Sequence, residues 1–147
     1  MAHVPRRILV PTDFSDLARQ AMFYAAELAK LTDGELIVAH VTFEIPQMMP
    51  TGAIIAEARR EELQTDRDKA VADQLAEEIA HLGGHVATST VVAEGDAASQ
   101  LVALAVEHDV DLIAISSHGR TGIQRLLLGS VAEKVARRAG CPVLIVR

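Results

Sequence analysis

Apolar runs and amphipathic stretches alternate from one end of this chain to the other, and this alternation constrains the fold more than any other feature. Arg7 to Pro11 (RILVP) is a nearly continuous apolar run stopped by proline, the pattern of a strand buried on both faces. Phe14 to Leu31 follows with Leu17, Ala21, Tyr24, Ala25 and Leu28 at helical spacing, and Asp33-Gly34 ends it. Glu35 to Val41 (ELIVAHV) is a second strand. Thr42 to Gly52 has no regular period and holds Pro46, Met48, Met49 and Pro50, so it reads as a flexible loop. Ile54 to Leu82 is a long, highly charged helical stretch stopped by Gly83-Gly84. Its apolar positions Leu63, Ala70, Val71, Leu75 and Ile79 give one buried face, and its charges read as the solvated face. His85 to Val92 is a third strand, and Ala97 to Glu107 a helix capped by Asp96. Asp111 to Ser116 (DLIAIS) is a fourth strand, Ser130 to Arg138 a helix, and Val143 to Val146 the closing strand. Strict β-α alternation of this kind predicts a parallel, doubly wound α/β sheet with helices on both faces.

The chain has 147 residues, which fits one domain with one sizeable core, expected to span residues 1–147. Half of those residues are hydrophobic, so a folded globule is expected rather than a disordered chain. There is one Tyr, three Phe and no Trp, which makes the core aliphatic and counts against binding by stacking on exposed bases. The net charge of −6, without a basic stripe, counts against nucleic acid and anionic membranes as partners. Arg137-Arg138 lie late in a predicted helix, where they complement its dipole. Cys141 stands alone between Gly140 and Pro142, so it forms no intramolecular disulfide and reads as a buried small hydrophobe in a reducing compartment. No run is long enough to span a bilayer as a helix, and the opening residues lack a signal-peptide pattern. The expectation is a cytoplasmic protein.

Function is expected beyond the carboxyl ends of the strands, where open α/β sheets bind ligands. The first strand ends in Pro11-Thr12-Asp13 and the fourth in Ser116-Ser117-His118-Gly119. If these strands are neighbours, their polar ends line one crevice. Gly119 lacks a Cβ and lets the backbone approach a ligand closely. Gly129-Ser130 precedes a helix, and Ser130 with Glu133 forms an S-x-x-E capping box with Ser130 as N-cap. Backbone N–H groups and the positive dipole end then face outward, suited to a phosphate. Asp13 can accept hydrogen bonds from ribose hydroxyls. Each feature has an ordinary alternative as a helix cap (Ser130, Asp13, Ser15), a turn glycine (Gly119, Gly122) or a surface loop residue (His118). Their placement at strand ends is what points to a ligand site. The sequence contains no G-x-x-x-x-G-K-[ST], no G-x-G-x-x-G after the first strand, no G-x-S-x-G elbow and no metal-ligand spacing of His, Cys, Asp and Glu.

These residues resemble the universal stress proteins of the small, single-domain type. RILVPTDFSDLARQA is similar to the opening strand and helix of that family, and SSHGRTGIQRLLLGSVAEKVARRAGCPVLIVR to its closing signature. The ATP-binding branch carries Gly, two residues, Gly, nine residues, then Gly-Ser or Gly-Thr. Here Gly119, the nine residues Arg120 to Leu128, and Gly129-Ser130 match, while Ser116 stands where the pattern carries its first Gly. The resemblance implies a Rossmann-like, five-stranded sheet of order 3-2-1-4-5. It implies that Pro11, Thr12 and Asp13 approach the adenosine and that Val41 offers backbone contacts to adenine. It implies that Ile115, Ser116, His118, Gly119, Gly129, Ser130 and Val131 surround ribose and phosphates. The implied ligand is ATP, or ADP or AMP, with magnesium. The implied assembly is a homodimer in which residues 143–146 pair with their copy, removing an exposed sheet edge.

Three readings compete. In the first, a dimeric ATP-binding stress-response protein senses or signals through nucleotide occupancy, with at most slow ATP hydrolysis because the crevice offers no obvious positioned base. In the second, the same fold is a nucleotide-independent interaction module with a degenerate pocket. Its motive is Ser116, whose Cβ would crowd a ligand if the position needs positive φ, and whose hydroxyl would add a hydrogen bond if φ is ordinary. The third, an adenylyl-transferring enzyme, ranks last, because Ser117-His118-Gly119-Arg120 is only half of the H-x-G-H-like loop such enzymes use.

Overall fold

The computed structural model describes residues 3–119 and 128–147. Among them the elements alternate as β1 (Arg7–Pro11), α1 (Asp16–Thr32), β2 (Glu35–Thr42), α2 (Glu57–Ala80), β3 (Ala87–Glu94), α3 (Ala97–Glu107), β4 (Leu112–Ser116), α4 (Ser130–Arg138) and β5 (Val143–Val146). The strands form one parallel sheet of order β3-β2-β1-β4-β5. The order reverses between β1 and β4, which lie side by side with Leu9 opposite Ile113.

Side-chain alternation along the strands divides the core in two. Ile8, Val10, Leu36, Val38, Leu112 and Ala114 point to one face, where Met22, Ala25, Ala26 and Ala29 of α1 and Val71 and Leu75 of α2 cover them. Leu9, Ile37, Ala39, Ile113 and Ile115 point to the other, under Leu101, Leu104 and Ala105 of α3 and Ala132 and Val135 of α4. The apolar run in β1 is thus explained. Ile8, Leu9 and Val10 are fully buried although successive residues face opposite layers.

Element boundaries differ from the sequence reading where backbone chemistry overrides periodicity. α1 starts at Asp16, not Phe14, because Phe14 holds a left-handed φ of 64° and Ser15 caps the helix by accepting the Ala18 N–H. The buried stripe of α1 is Ala18, Ala21, Met22, Ala25, Ala26 and Ala29, and Tyr24 faces solvent. At its other end Asp33 takes the left-handed cap at φ 51°. α2 starts at Glu57 rather than Ile54, since Ile54 bridges Met48 in a small antiparallel turn. That turn, closed by Met49 N–H to Ala53 O and Ile55 N–H to Gln47 O, gives local order to the segment read as a loop. Ala70 lies on the solvated side of α2, and Glu78 lies on its buried side. β3 runs two residues later than expected and pairs with β2 over its whole length, Ala87 opposite Glu35 through Glu94 opposite Thr42. Among the described residues no helix is long and apolar enough to cross a membrane.

Candidate functional site

Because the sheet is parallel, every strand delivers its carboxyl end to the same edge. Five polar or charged residues are buried among those described, and four of them, Thr12, Thr42, Ser116 and Ser117, stand at that edge. Polar groups there are kept out of water only because each has a hydrogen-bond partner. The edge is therefore an organised polar surface, whereas elsewhere the core is aliphatic.

β1 exits through a tight turn. The Thr12 N–H donates to Ala39 O at 2.8 Å, and Thr12 Oγ1 accepts the Phe14 N–H at 3.0 Å. Asp13 Oδ1 accepts the Ser15 N–H at 3.0 Å. The left-handed Phe14 between them costs on the order of 1–3 kcal/mol for a bulky residue, and these side-chain bonds hold it. The Phe14 ring packs on His40, with centroids 4.6 Å apart. His40 Nδ1 lies 2.7 Å from Thr12 O. The carbonyl can only accept, so Nδ1 carries the proton.

β4 exits through a second turn that its serines build. Ser116 has no positive φ, and its Oγ donates to His118 O at 3.0 Å. The backbone at this position is thus ordinary, and the hydroxyl's bond goes to the loop's own carbonyl, which shapes the turn. The Ser117 N–H donates to Val146 O at 2.8 Å, and Ser117 O accepts the Gly129 N–H at 2.6 Å. One residue thus ties the end of β4 to β5 and to the start of α4. Ser117 Oγ also lies 3.0 Å from His118 Nδ1.

Two glycines bring these turns together. A Cβ on Gly119 would lie 2.7 Å from Asp13 Oδ2, and a Cβ on Gly129 would lie 2.8 Å from Ser117 O. Gly119 has no positive φ, so the demand for glycine there is spatial, not conformational. The loop after β4 and the turn after β1 thus meet at Asp13.

The start of α4 corrects the sequence reading. Gly129, not Ser130, is the N-cap, and Ser130 is the first helical residue. The capping box does not form. The cap residue has no side chain to supply the bond, and Glu133 instead pairs with Arg137 along the helix. The consequence is a helix end whose first N–H groups, at Ser130 and Val131, have no side-chain cap.

Of the residues expected at the site, Thr12, Asp13, Ser116, His118, Gly119, Gly129 and Ser130 lie at this edge, with Pro11 closing β1 and Val131 following Ser130 in α4. Val41 lies near the end of β2 and packs on the α3–α4 layer. Ile115 turns its side chain into the same layer and is 5% exposed, so only its backbone is available to the crevice. Gly122 and Arg120 lie outside the described residues, as do Leu126 and Leu127. Periodicity gave no signal for His40, whose role depends on which carbonyl the fold places beside it.

The opposite edge of the sheet has a groove of about 510 Å³ lined by Arg6, Arg7, Lys30, Asp33, Glu35 and His85. Its charges are mixed and pair locally, Arg7 with Glu35 at 3.0 Å. It therefore lacks the single-sign field that would draw an anion.

The universal stress protein family model matches residues 5–147. Universal stress protein MJ0531 of Methanocaldococcus jannaschii is 36% identical over 146 residues, which is 97% of this chain and 82% of that protein. The structure of hypothetical protein MJ0577 from the same organism superposes with a TM-score of 0.83 at 28% identity, covering 98% of this chain and 96% of the other. A universal stress protein solved in complex with cAMP has a TM-score of 0.70 at 26% identity, over 99% and 98% of the two chains. This chain belongs to the universal stress protein family.

Proposed function

We propose that this protein binds an adenine nucleotide, ATP or its ADP or AMP forms, in the crevice between β1 and the β4–α4 connection, and acts as a dimeric sensor of nucleotide occupancy. The observation that carries the reading is the junction at Asp13. Gly119 lies so close to that carboxylate that a Cβ would overlap it, while an α-helix starts nearby at Gly129 without a side-chain cap. Such a junction supports the reading because a carboxylate can accept from ribose hydroxyls while backbone donors at a helix start suit a phosphate. The cAMP complex of a relative supports the ligand class. On this reading Pro11, Thr12, Asp13 and Val41 face the nucleoside. Backbone at Ile115 and Ser116, with His118, Gly119, Gly129, Ser130 and Val131, faces the ribose and phosphates.

Magnesium would arrive with the phosphates, and the Ser130 hydroxyl at the start of α4 would be an oxygen ligand for it there. The geometry of Ser116 weighs against the degenerate-pocket alternative. The residue needs no positive φ, and its hydroxyl is used within the loop.

The test is nucleotide content. The protein is purified without added ligand and denatured, and the supernatant is run by ion exchange. About one adenine nucleotide per chain is expected if the site is tight enough to survive purification. Empty protein that also gives no heat with Mg-ATP in calorimetry would overturn the proposal.

A further inference from the structure

In a strand, the N–H and C=O of one residue point to the same neighbouring strand, and those of the next residue to the other. Ala39 O accepts from Thr12, so Ala39 faces β1; Thr42 O accepts from Gly95 beyond β3, so Thr42 faces β3. By that alternation Val41 faces β1. The next rung of a parallel ladder would take the Val41 N–H to Thr12 O. The ladder stops short of it, with its last register pair Pro11 opposite Ala39. Thr12 O instead lies 2.7 Å from His40 Nδ1. The chain then turns away at Phe14, whose left-handed backbone and ring contact with His40 complete the divergence of β1 from β2.

We propose that His40 is a positioning residue for the nucleotide base: its Nδ1–H takes the carbonyl that Val41 would otherwise take, and so keeps the Val41 N–H and C=O facing an open gap. A donor and an acceptor side by side on one backbone residue match the edge of a purine that presents an acceptor beside an amino group. This rests on the adenine-nucleotide reading for its ligand but not for its geometry. His40 acts through Thr12 and Val41 and makes no contact with the ligand in this scheme.

The experiment uses the full chain and two variants. His40→Phe keeps a ring against Phe14 and loses the donor. His40→Asn keeps a donor near the Nδ1 position. In nucleotide-free protein, amide hydrogen exchange is read at Val41. Fast exchange is expected in the wild type and in His40→Asn, and slowing by about tenfold in His40→Phe as Thr12 O turns to the Val41 N–H. Calorimetry then compares ATP with inorganic tripolyphosphate. His40→Phe is expected to lose about tenfold in ATP affinity with tripolyphosphate affinity unchanged, and His40→Asn to recover most of the ATP loss.

A wild-type Val41 amide as protected as that of Ile37 would overturn the proposal. So would equal losses for ATP and tripolyphosphate, or ATP binding by His40→Phe at wild-type strength, since a merely structural histidine predicts those results. Wild-type protein that binds no ATP but shows the expected exchange pattern would overturn the nucleotide reading and leave the role of His40 in opening the β1–β2 gap supported.

Discussion

A methyl group on Gly119 would lie 2.7 Å from Asp13 Oδ2, closer than a carbon and a carboxylate oxygen can sit, so Gly119→Ala forces the carboxylate or the loop to move. Because Gly119 lacks a positive φ, alanine adds no backbone strain there, and the damage stays local to the crevice. Gly119→Ala is therefore expected to lower nucleotide affinity by about tenfold or more while changing stability by less than about 1 kcal/mol, read by calorimetry and by denaturant unfolding. Equal affinity in the variant would show that Asp13 does not meet the ligand. A second residue sets a pH dependence far from the crevice. The Asp111 carboxylate accepts the Arg6 and Arg7 N–H groups at 2.9 Å each and pairs with His3 at 2.8 Å. The Arg6 N–H, then the Arg7 N–H, hold its carboxyl below the usual carboxylate range. A folded value lower than the unfolded one contributes stability that is fully present above the unfolded pKa of about 4 and lost as pH falls through the folded value. Asp111→Asn is accordingly expected to cost about 1–2 kcal/mol at pH 7, and the gap to wild type should narrow as pH falls below the unfolded pKa of about 4. Urea unfolding across that range checks it, and a gap independent of pH would refute the assignment.

At the scale of elements, α4 separates two meanings of one serine. If Ser130 were the N-cap, removing its hydroxyl would cost about 1 kcal/mol. Gly129 holds that position, so Ser130→Ala should leave the melting temperature within about 1 °C of wild type and show its effect in nucleotide affinity. The helix pair α1–α2 yields a second contrast. Glu78 is 5% exposed and receives a forked contact from Arg19, Nη2 to Oε1 at 2.6 Å and Nε to Oε2 at 3.0 Å. Arg19→Met leaves the carboxylate buried without this partner, whereas Arg19→Met with Glu78→Leu removes both charges. The single variant should melt roughly 5 °C lower, and the double variant should recover most of that loss. An additive double variant would mean that the pair is not coupled. Such particulars show which parts of the sequence were legible. The strands could be anticipated because two-sided burial demands unbroken apolar runs and glycines mark the helix ends, whereas the 3-2-1-4-5 order was implied only by the resemblance to the family, since spacing does not say which strands are neighbours. Glu78 falls in the buried stripe with Val71 and Leu75, but it was not legible because a charged residue type in a highly charged helix reads as part of the solvated face. The cap shifted by one residue because glycine and serine both serve as caps and only the backbone angles decide between them. His40 was silent because its hydrogen-bond partner is a carbonyl 28 residues away in sequence.

For the whole molecule, the two sheet edges pose the same physical problem at unequal strength. β3 and β5 each pair on one side only. β3 blunts its free edge with largely exposed small and polar residues such as Thr88, Ser89 and Thr90. β5 is VLIV, four apolar residues that are all half-buried, with Leu144 packed toward one core layer and Val143 and Ile145 toward the other. A short, uncharged, apolar edge is the one that gains by pairing, since unpaired N–H and C=O groups there invite another chain. This motivates the proposed homodimer through residues 143–146. The ladder identifies which backbone groups would form it. Ile113 N–H donates to Pro142 O and Ser117 N–H to Val146 O, so even-numbered residues of β5 face β4 and Val143 and Ile145 face outward. Ile145→Pro therefore removes an outward N–H and leaves the β4–β5 bonds in place, at a position where an edge strand tolerates proline. Because Ser117 joins β5, β4 and α4 through its N–H and C=O, the dimer edge lies one residue from the crevice framework. Sedimentation velocity should show a dimer for the wild type and a monomer for Ile145→Pro, with nucleotide affinity in the monomer lowered by less than about threefold. A dimer that survives Ile145→Pro would place the interface elsewhere. A monomer that loses nucleotide altogether would show that the Ser117 junction makes assembly and ligand binding a single event.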